Sequence, residues 1–170
     1  MKKIFSIILI SISLVSYGQM STVEQEVFDE INKVRADPKA YIPYIDEFLD
    51  VWDSNSAERA TAEELKKELC KMKPLEPLVY SQELFNTCKK HAAYVKRTGT
   101  FVHSDCNCGE NIQYGNNIPR YAVCDLLIDY RVPDRGHREN ILNPEFRKCA
   151  VVYIEEVDDE INFFFIQQFK

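Results

Sequence analysis

The chain has 170 residues, 45% of them hydrophobic, with 27 acidic against 21 basic side chains and a formal charge of −6. That length bounds one domain with a sizeable core. An acidic chain without a basic run is a poor candidate for nucleic acid or for anionic membranes.

Residues 1–18 read as a secretory signal. Lys2 and Lys3 make a basic start, Ile4 through Val15 is an apolar run too short to span a bilayer with ease, and Ser16-Tyr17-Gly18 offers small residues to a signal peptidase. Cleavage before Gln19 would leave an exported, soluble domain over residues 19–170, secreted or periplasmic, with no stable membrane insertion. An uncleaved anchor is the alternative. Losing the two leader lysines takes the formal charge from −6 to −8.

Ser21-Thr-Val-Glu24 is a capping-box pattern, and Val23, Val27, Ile31 and Val34 follow at helical spacing until Asp37-Pro38. A second helical stretch carries Tyr41, Ile45, Phe48, Leu49 and Trp52. Asp53–Ala60 reads as a loop, and Thr61 starts a short charged helix that Lys73-Pro-Leu-Glu-Pro77 breaks. A longer helix runs from Ser81 to Arg97, ended by Gly99. His91 lies in its apolar stripe and reads as a hydrogen-bonded core residue outside any site.

Arg120–Tyr130 is the next helix, with Asp125 and Asp129 four apart on one face, an arrangement that a solvated edge would share. A short helical turn follows from His137 to Leu142. The β-branched and aromatic runs Cys149–Ile154 and Ile161–Ile166 read as strands around an acidic turn, Glu155–Glu160. Both runs are apolar on consecutive residues, so both faces need cover. The expected fold is α+β, an α-β-α sandwich with a small antiparallel sheet flanked by helices.

Six cysteines, Cys70, Cys88, Cys106, Cys108, Cys124 and Cys149, lie in the exported part. An even count in that compartment argues for disulfides, with room for one reduced pair. A thiolate metal site around Cys106-Asn-Cys108 is the rival, disfavoured by its single intervening residue.

The chain has three histidines, and two of them sit in polar segments beside acids and glycines: Phe101-Val-His-Ser-Asp-Cys-Asn-Cys-Gly-Glu-Asn111 and Asp134-Arg-Gly-His-Arg-Glu-Asn-Ile-Leu142. Gly109 and Gly136 directly precede Glu110 and His137, where close approach of backbone would matter. These parts suit one site. Two imidazoles and a carboxylate (His103, His137 and Glu110) make a sound ligand set for zinc or another divalent cation, with a fourth position open. A hydrogen-bonded polar cluster tying loops together is the alternative.

In their order, Asn32-Lys-Val-Arg35, Lys90-His-Ala92, His103-Ser, Gly109-Glu-Asn111 and Gly136-His-Arg-Glu-Asn-Ile-Leu142 resemble the CAP superfamily, and the last segment looks like its bacterial branch. That group comprises cysteine-rich secretory proteins, antigen 5 and pathogenesis-related proteins. The resemblance spans roughly residues 23–169 and implies an α-β-α sandwich with two histidines and two acids around a cleft. Carried over, these are His103, Glu110 and His137, with Asp129 as the fourth through the match of Leu126-Leu-Ile-Asp129 to the family's Trp-x-x-Glu. Some members bind divalent metal there, and others are linked to lipids, sterols or extracellular proteins.

The function expected is therefore a secreted, monomeric ligand-binding or interaction module that takes a small apolar ligand or an extracellular protein. A metal-dependent or His/Glu-assisted hydrolase with Ser104 as nucleophile is the alternative. No Gly-x-Ser-x-Gly elbow or His-Glu-x-x-His helix supports turnover.

Overall fold

In the computed structural model, which describes residues 20–155 and 163–170, helix α1 (Thr22–Ala36) begins at the expected capping box. Ser21 Oγ accepts from the Glu24 N–H, while a Glu24 carboxylate oxygen accepts from the Ser21 N–H at 2.6 Å. The other Glu24 oxygen accepts from the Tyr153 N–H at 2.9 Å, so the cap also fixes the helix to the sheet. A 3-10 turn at Lys39–Tyr41 leads into α2 (Ile42–Val51), which buries Ile45, Phe48 and Leu49.

Helix α3 (Ser56–Leu69) starts five residues before the expected position. Asn55 Oδ1 accepts from the N–H groups of Ala57 and Glu58, both at 3.0 Å, and this cap turns most of the polar Asp53–Ala60 segment into helix. Helix α4 (Gln82–Thr98) opens at Ser81 and closes at Gly99, whose φ of 64° is the left-handed C-cap that glycine adopts without strain. Helices α5 (Pro119–Ile128) and α6 (Gly136–Leu142) complete the set.

Four strands, β1 (Val79–Tyr80), β2 (Gly109–Tyr114), β3 (Lys148–Glu155) and β4 (Phe163–Phe169), form one sheet in the order β1-β3-β4-β2. The expected β3–β4 hairpin pairs antiparallel, and β2 pairs antiparallel with β4. The sheet is mixed rather than wholly antiparallel, because β1 runs parallel to β3. The sequence did not announce β1, which is two residues long, or β2, which carries polar side chains on both faces. The leader, and all but the first residue of the acidic turn, lie outside the described residues.

Alternation along the strands splits the core in two. On one face, Leu84, Phe85, Cys88, Ala92 and Val95 of α4 pack on Ala150, Val152, Phe164 and Ile166. On the other, helices α1, α2, α3, α5 and α6 cover Cys149, Val151, Phe165 and Phe169. The result is the α+β, α-β-α sandwich expected.

This division also decides the cysteines. Cys88 lies on the α4 face and Cys149 on the opposite one, Cys124 is buried on α5, and Cys70 is exposed at the end of α3. These four are free thiols, so the expectation of a largely disulfide-bonded set gives way to one bond, Cys106–Cys108. The two sulfurs that a thiolate metal site would have used are bonded to each other. That bond closes a loop of three residues, which chain entropy credits with about 1.6 kcal/mol, roughly half the value for a fifteen-residue loop.

Arg35, fully buried near the end of α1, joins the remaining pieces. Its guanidinium donates to the carbonyls of Glu76, Ile141, Asn143 and Phe146 at 2.9–3.3 Å. Arg35→Met keeps the apolar stem but leaves four carbonyls without their donor, that of Ile141 in a buried setting. It is expected to lower stability by about 3–5 kcal/mol in urea unfolding; a loss under about 1 kcal/mol would contradict this role.

Candidate functional site

The register of β2 against β4 sets Glu110 opposite Gln168, on the face that α4 covers. Glu110 is buried, 7% exposed, and both its oxygens are engaged. Oε1 accepts from the Ser104 N–H at 2.7 Å and from His103 Nδ1 at 3.1 Å. Oε2 accepts from the Ser104 hydroxyl at 2.5 Å and from Gln168 Nε2 at 2.8 Å. Burial alone would raise the Glu110 pKa. Hydrogen bonds from the Ser104 hydroxyl, Gln168 and the Ser104 N–H, with His91 nearby, outweigh it and hold the carboxyl below the ordinary glutamate range.

His91 reaches this carboxylate from α4. Its Nε2 lies 2.8 Å from the Val102 carbonyl, which can only accept, so that nitrogen carries the proton. The same Nε2 is 3.7 Å from Glu110 Oε1. The histidine is the buried, hydrogen-bonded residue its spacing implied, and it also backs the site from which the sequence reading left it out.

The second half forms where α5 hands over to α6. Asp129 ends α5 with φ 55° and ψ 42°, a left-handed conformation that aspartate tolerates better than most residues. Its Oδ2 accepts from the N–H groups of His137 and Arg138, at 3.0 and 3.3 Å, and its Oδ1 accepts from His137 Nδ1 at 2.8 Å. One side chain caps α6 and orients the imidazole that α6 carries. Asp129 is 3% exposed, so it is no solvated edge. Asp125, one turn earlier, has its pKa raised by burial, although Gln113 donates to it at 3.2 Å.

His103 and His137 meet with ring centroids 6.3 Å apart and planes inclined at 44°. Each presents Nδ1–H to a carboxylate, which leaves Nε2 as the lone-pair nitrogen of both rings. Among the described residues neither Nε2 has a hydrogen-bond partner. His103 is largely exposed, its side chain at 60%, and His137 is at 21%, so the pair opens to solvent on one side.

An amide network joins the halves through the sheet. Asn111, on the face opposite Glu110, donates to the His137 carbonyl at 3.2 Å and to Gln167 Oε1 at 3.1 Å. Asn140 donates to Asn111 Oδ1 at 2.9 Å and to the Glu110 carbonyl at 3.3 Å. A Cβ at Gly109 would overlap the Asn140 amide, so a side chain there would displace Asn140 from this network. At Gly136 a Cβ would meet only ordinary contacts beside Asp134, and packing places no such demand there.

The structure thus brings His103, Glu110, Asp129 and His137 together as two linked dyads. Glu110, expected as a metal ligand, accepts hydrogen bonds from His103, Ser104 and Gln168. Among the described residues no group of three or more His, Cys, Asp or Glu side chains forms a ready cation cage. The Ser104 hydroxyl donates to Glu110 and accepts from Gln168 at 3.2 Å, and no imidazole nitrogen bonds to it. Gln167 and Gln168 were not singled out from sequence, although two adjacent polar residues inside an apolar strand were their signal.

A three-layer α-β-α sandwich with two carboxylate-oriented imidazoles at its sheet edge defines a class in which fold and cleft come together. The chain belongs to the CAP family, the cysteine-rich secretory protein family, whose family model matches residues 28–169. Comparison with curated proteins gives no match.

Glu110→Gln sets a donor amide against a site arranged for donors and is expected to lower stability by about 1–3 kcal/mol at pH 7. Because the folded carboxyl has the lower pKa, its contribution is complete above the unfolded glutamate value and fades as pH falls through the folded one. The gap between the two proteins in urea unfolding should therefore narrow on acidification; a gap independent of pH would contradict this assignment.

Proposed function

We propose that this chain is an exported CAP-domain protein whose His103–His137 pair binds a divalent cation, zinc or a similar ion. On this reading it acts as a non-catalytic ligand-binding or interaction module. The observation that carries the proposal is the matched pair of dyads, with each Nδ1 held by a carboxylate and each Nε2 left free, 6.3 Å between ring centres. A carboxylate behind an imidazole fixes the tautomer and raises its basicity as a ligand.

Two imidazoles on one tetrahedral zinc, at about 2.0–2.1 Å from metal to nitrogen, bring their ring centres to roughly 5 Å. The rings would have to close by about 1 Å, and His103 is exposed enough to move. The donor chemistry fits a cation that completes its coordination with water or with a ligand's own oxygen. A bound cation would supply positive charge and a site for such an oxygen, while Glu110 and Asp129 keep both rings aimed at it.

The Ser104 hydroxyl faces a carboxylate rather than an imidazole, which serves the binding reading better than the hydrolase alternative. For the ligand or partner, Val51, Trp52, Tyr114 and Ile118 are large apolar side chains exposed to solvent. The groove beside Trp52 and Tyr114 has a volume of 250 Å³, below the roughly 300–1,000 Å³ usual for small-molecule pockets. An extracellular protein contact suits this face better than an enclosed lipid or sterol. Export is supported by the family's extracellular character and by the leader read from sequence. No helix among the described residues is long and apolar enough to cross a membrane.

Isothermal calorimetry with zinc on the mature, oxidised protein at pH 7.5 tests the proposal. One ion per chain is expected, with binding lost in the His103→Ala/His137→Ala protein. Equal heats in both proteins, or none in either, would overturn the cation site.

A further inference from the structure

We propose that the Cys106–Cys108 disulfide is a reversible redox centre that exchanges with a peptidic dithiol docked in the cavity beside it. As a staple the bond does little. Its two ends lie in one short segment between His103 and β2, and it ties no helix to a strand and no layer to another. The gain from constraining an unfolded chain grows with loop length, and this loop is about as short as a disulfide can close.

Accessibility separates this pair from the three buried sulfurs, and the bond itself separates it from Cys70, an exposed free thiol at the end of α3. Cys106 and Cys108 are each partly exposed, whereas Cys88, Cys124 and Cys149 are buried. Burial pushes those three thiols well above their ordinary range, which keeps them inert. Disulfides open to solvent are the ones that exchange, since an incoming thiolate must reach a sulfur in line with the bond it breaks.

Both cysteines line a cavity of 440 Å³ between α4 and the 104–108 segment. Leu84 and Tyr94 give it apolar walls and Thr87 a hydroxyl, while Lys90 and Lys170 are balanced by Glu83 and Asp105, with Lys170 paired to Glu83 at 3.6 Å. The volume, with apolar walls and charges of both signs, suits a few residues of peptide. This cavity lies on the α4 side of Ser104, away from the His137 half of the cleft, so the inference does not rest on cation binding.

The exchange balances without a cofactor. A substrate thiolate attacks one cysteine sulfur, the Cys106–Cys108 bond breaks, and the other cysteine leaves as a thiolate that takes a proton from water. The second substrate thiol, having given its proton to water, attacks the mixed disulfide. The substrate leaves as a disulfide and both cysteines remain as thiols, two electrons having passed from substrate to protein. A low-molecular-weight disulfide such as oxidised glutathione restores the pair by the reverse sequence.

The test holds the mature protein at pH 8 in about 5 mM reduced glutathione, with acid quenching, alkylation and mass analysis of the peptide containing Cys106 and Cys108. Reduction within minutes is expected, and re-formation on adding oxidised glutathione. A dithiol peptide should be oxidised one for one by the wild-type protein and not by Cys106→Ser. Tyr94→Ala, in the cavity wall, leaves the disulfide in place and should slow oxidation of the dithiol peptide about three- to tenfold. A bond that stays intact for hours, or peptide oxidation equal in Cys106→Ser, would overturn the proposal. A peptide oxidation rate unchanged by Tyr94→Ala would overturn the assignment of the cavity.

Discussion

A guanidinium sealed from water is tolerable only when its donors are all met, and Arg35 meets this condition with backbone carbonyls instead of a carboxylate. Those carbonyls belong to the segment after α3, to the end of α6 and to the approach to β3. Three segments distant in sequence therefore take their positions from one side chain on α1. The consequence for the cleft is direct. A seven-residue helix such as α6 has no stability of its own in water. It is held at its C-terminal end by Arg35 and at its N-terminal end by Asp129. His137, its second residue, is placed by both anchors.

The sheet carries the same logic to the other histidine. Successive residues of β2 point to opposite faces, so Glu110 reaches the α4 layer and Asn111 the α6 layer. Glu110 gathers Ser104, His103 and Gln168, while Asn111 holds the backbone of His137. The two imidazoles meet because adjacent residues of one strand grip opposite layers of the sandwich. Buried polar networks of this kind are tolerated when every member is satisfied. Gln167 Nε2 and Gln113 Oε1 are buried without a partner, so the network is incomplete at its margins.

Much of the fold was legible because its signals are local. The Ser21–Glu24 box, the period of Val27, Ile31 and Val34, and the stop at Gly99 each act over a few residues, and each forms as read. The start of α3 was misplaced because an Asn55 cap weighs less in a hydrophobic pattern than the charged residues after it. Strand β2 was missed for a functional reason: a strand that delivers Glu110, Asn111 and Gln113 to a polar network loses the alternation by which strands are recognised. In the cleft, scarcity made His103, Glu110 and His137 visible. Asp129 came through the resemblance, since nothing local distinguishes it from Asp125. The roles of His91, Gln168 and Arg35 depend on contacts across the sheet or between remote segments, which no spacing rule encodes. The cysteine count misled because the sheet separates Cys88 from Cys149.

His103 and His137 both hold Nδ1–H toward a carboxylate and leave Nε2 as the lone-pair nitrogen. Long-range proton–nitrogen NMR on nitrogen-labelled protein at pH 8 reads this directly. Expected are the Nδ1–H tautomer for both rings, the opposite Nε2–H tautomer for His91, and a joint shift of the His103 and His137 Nε2 signals when zinc is added. Nε2–H tautomers at His103 and His137, or a zinc response confined to one ring, would contradict it.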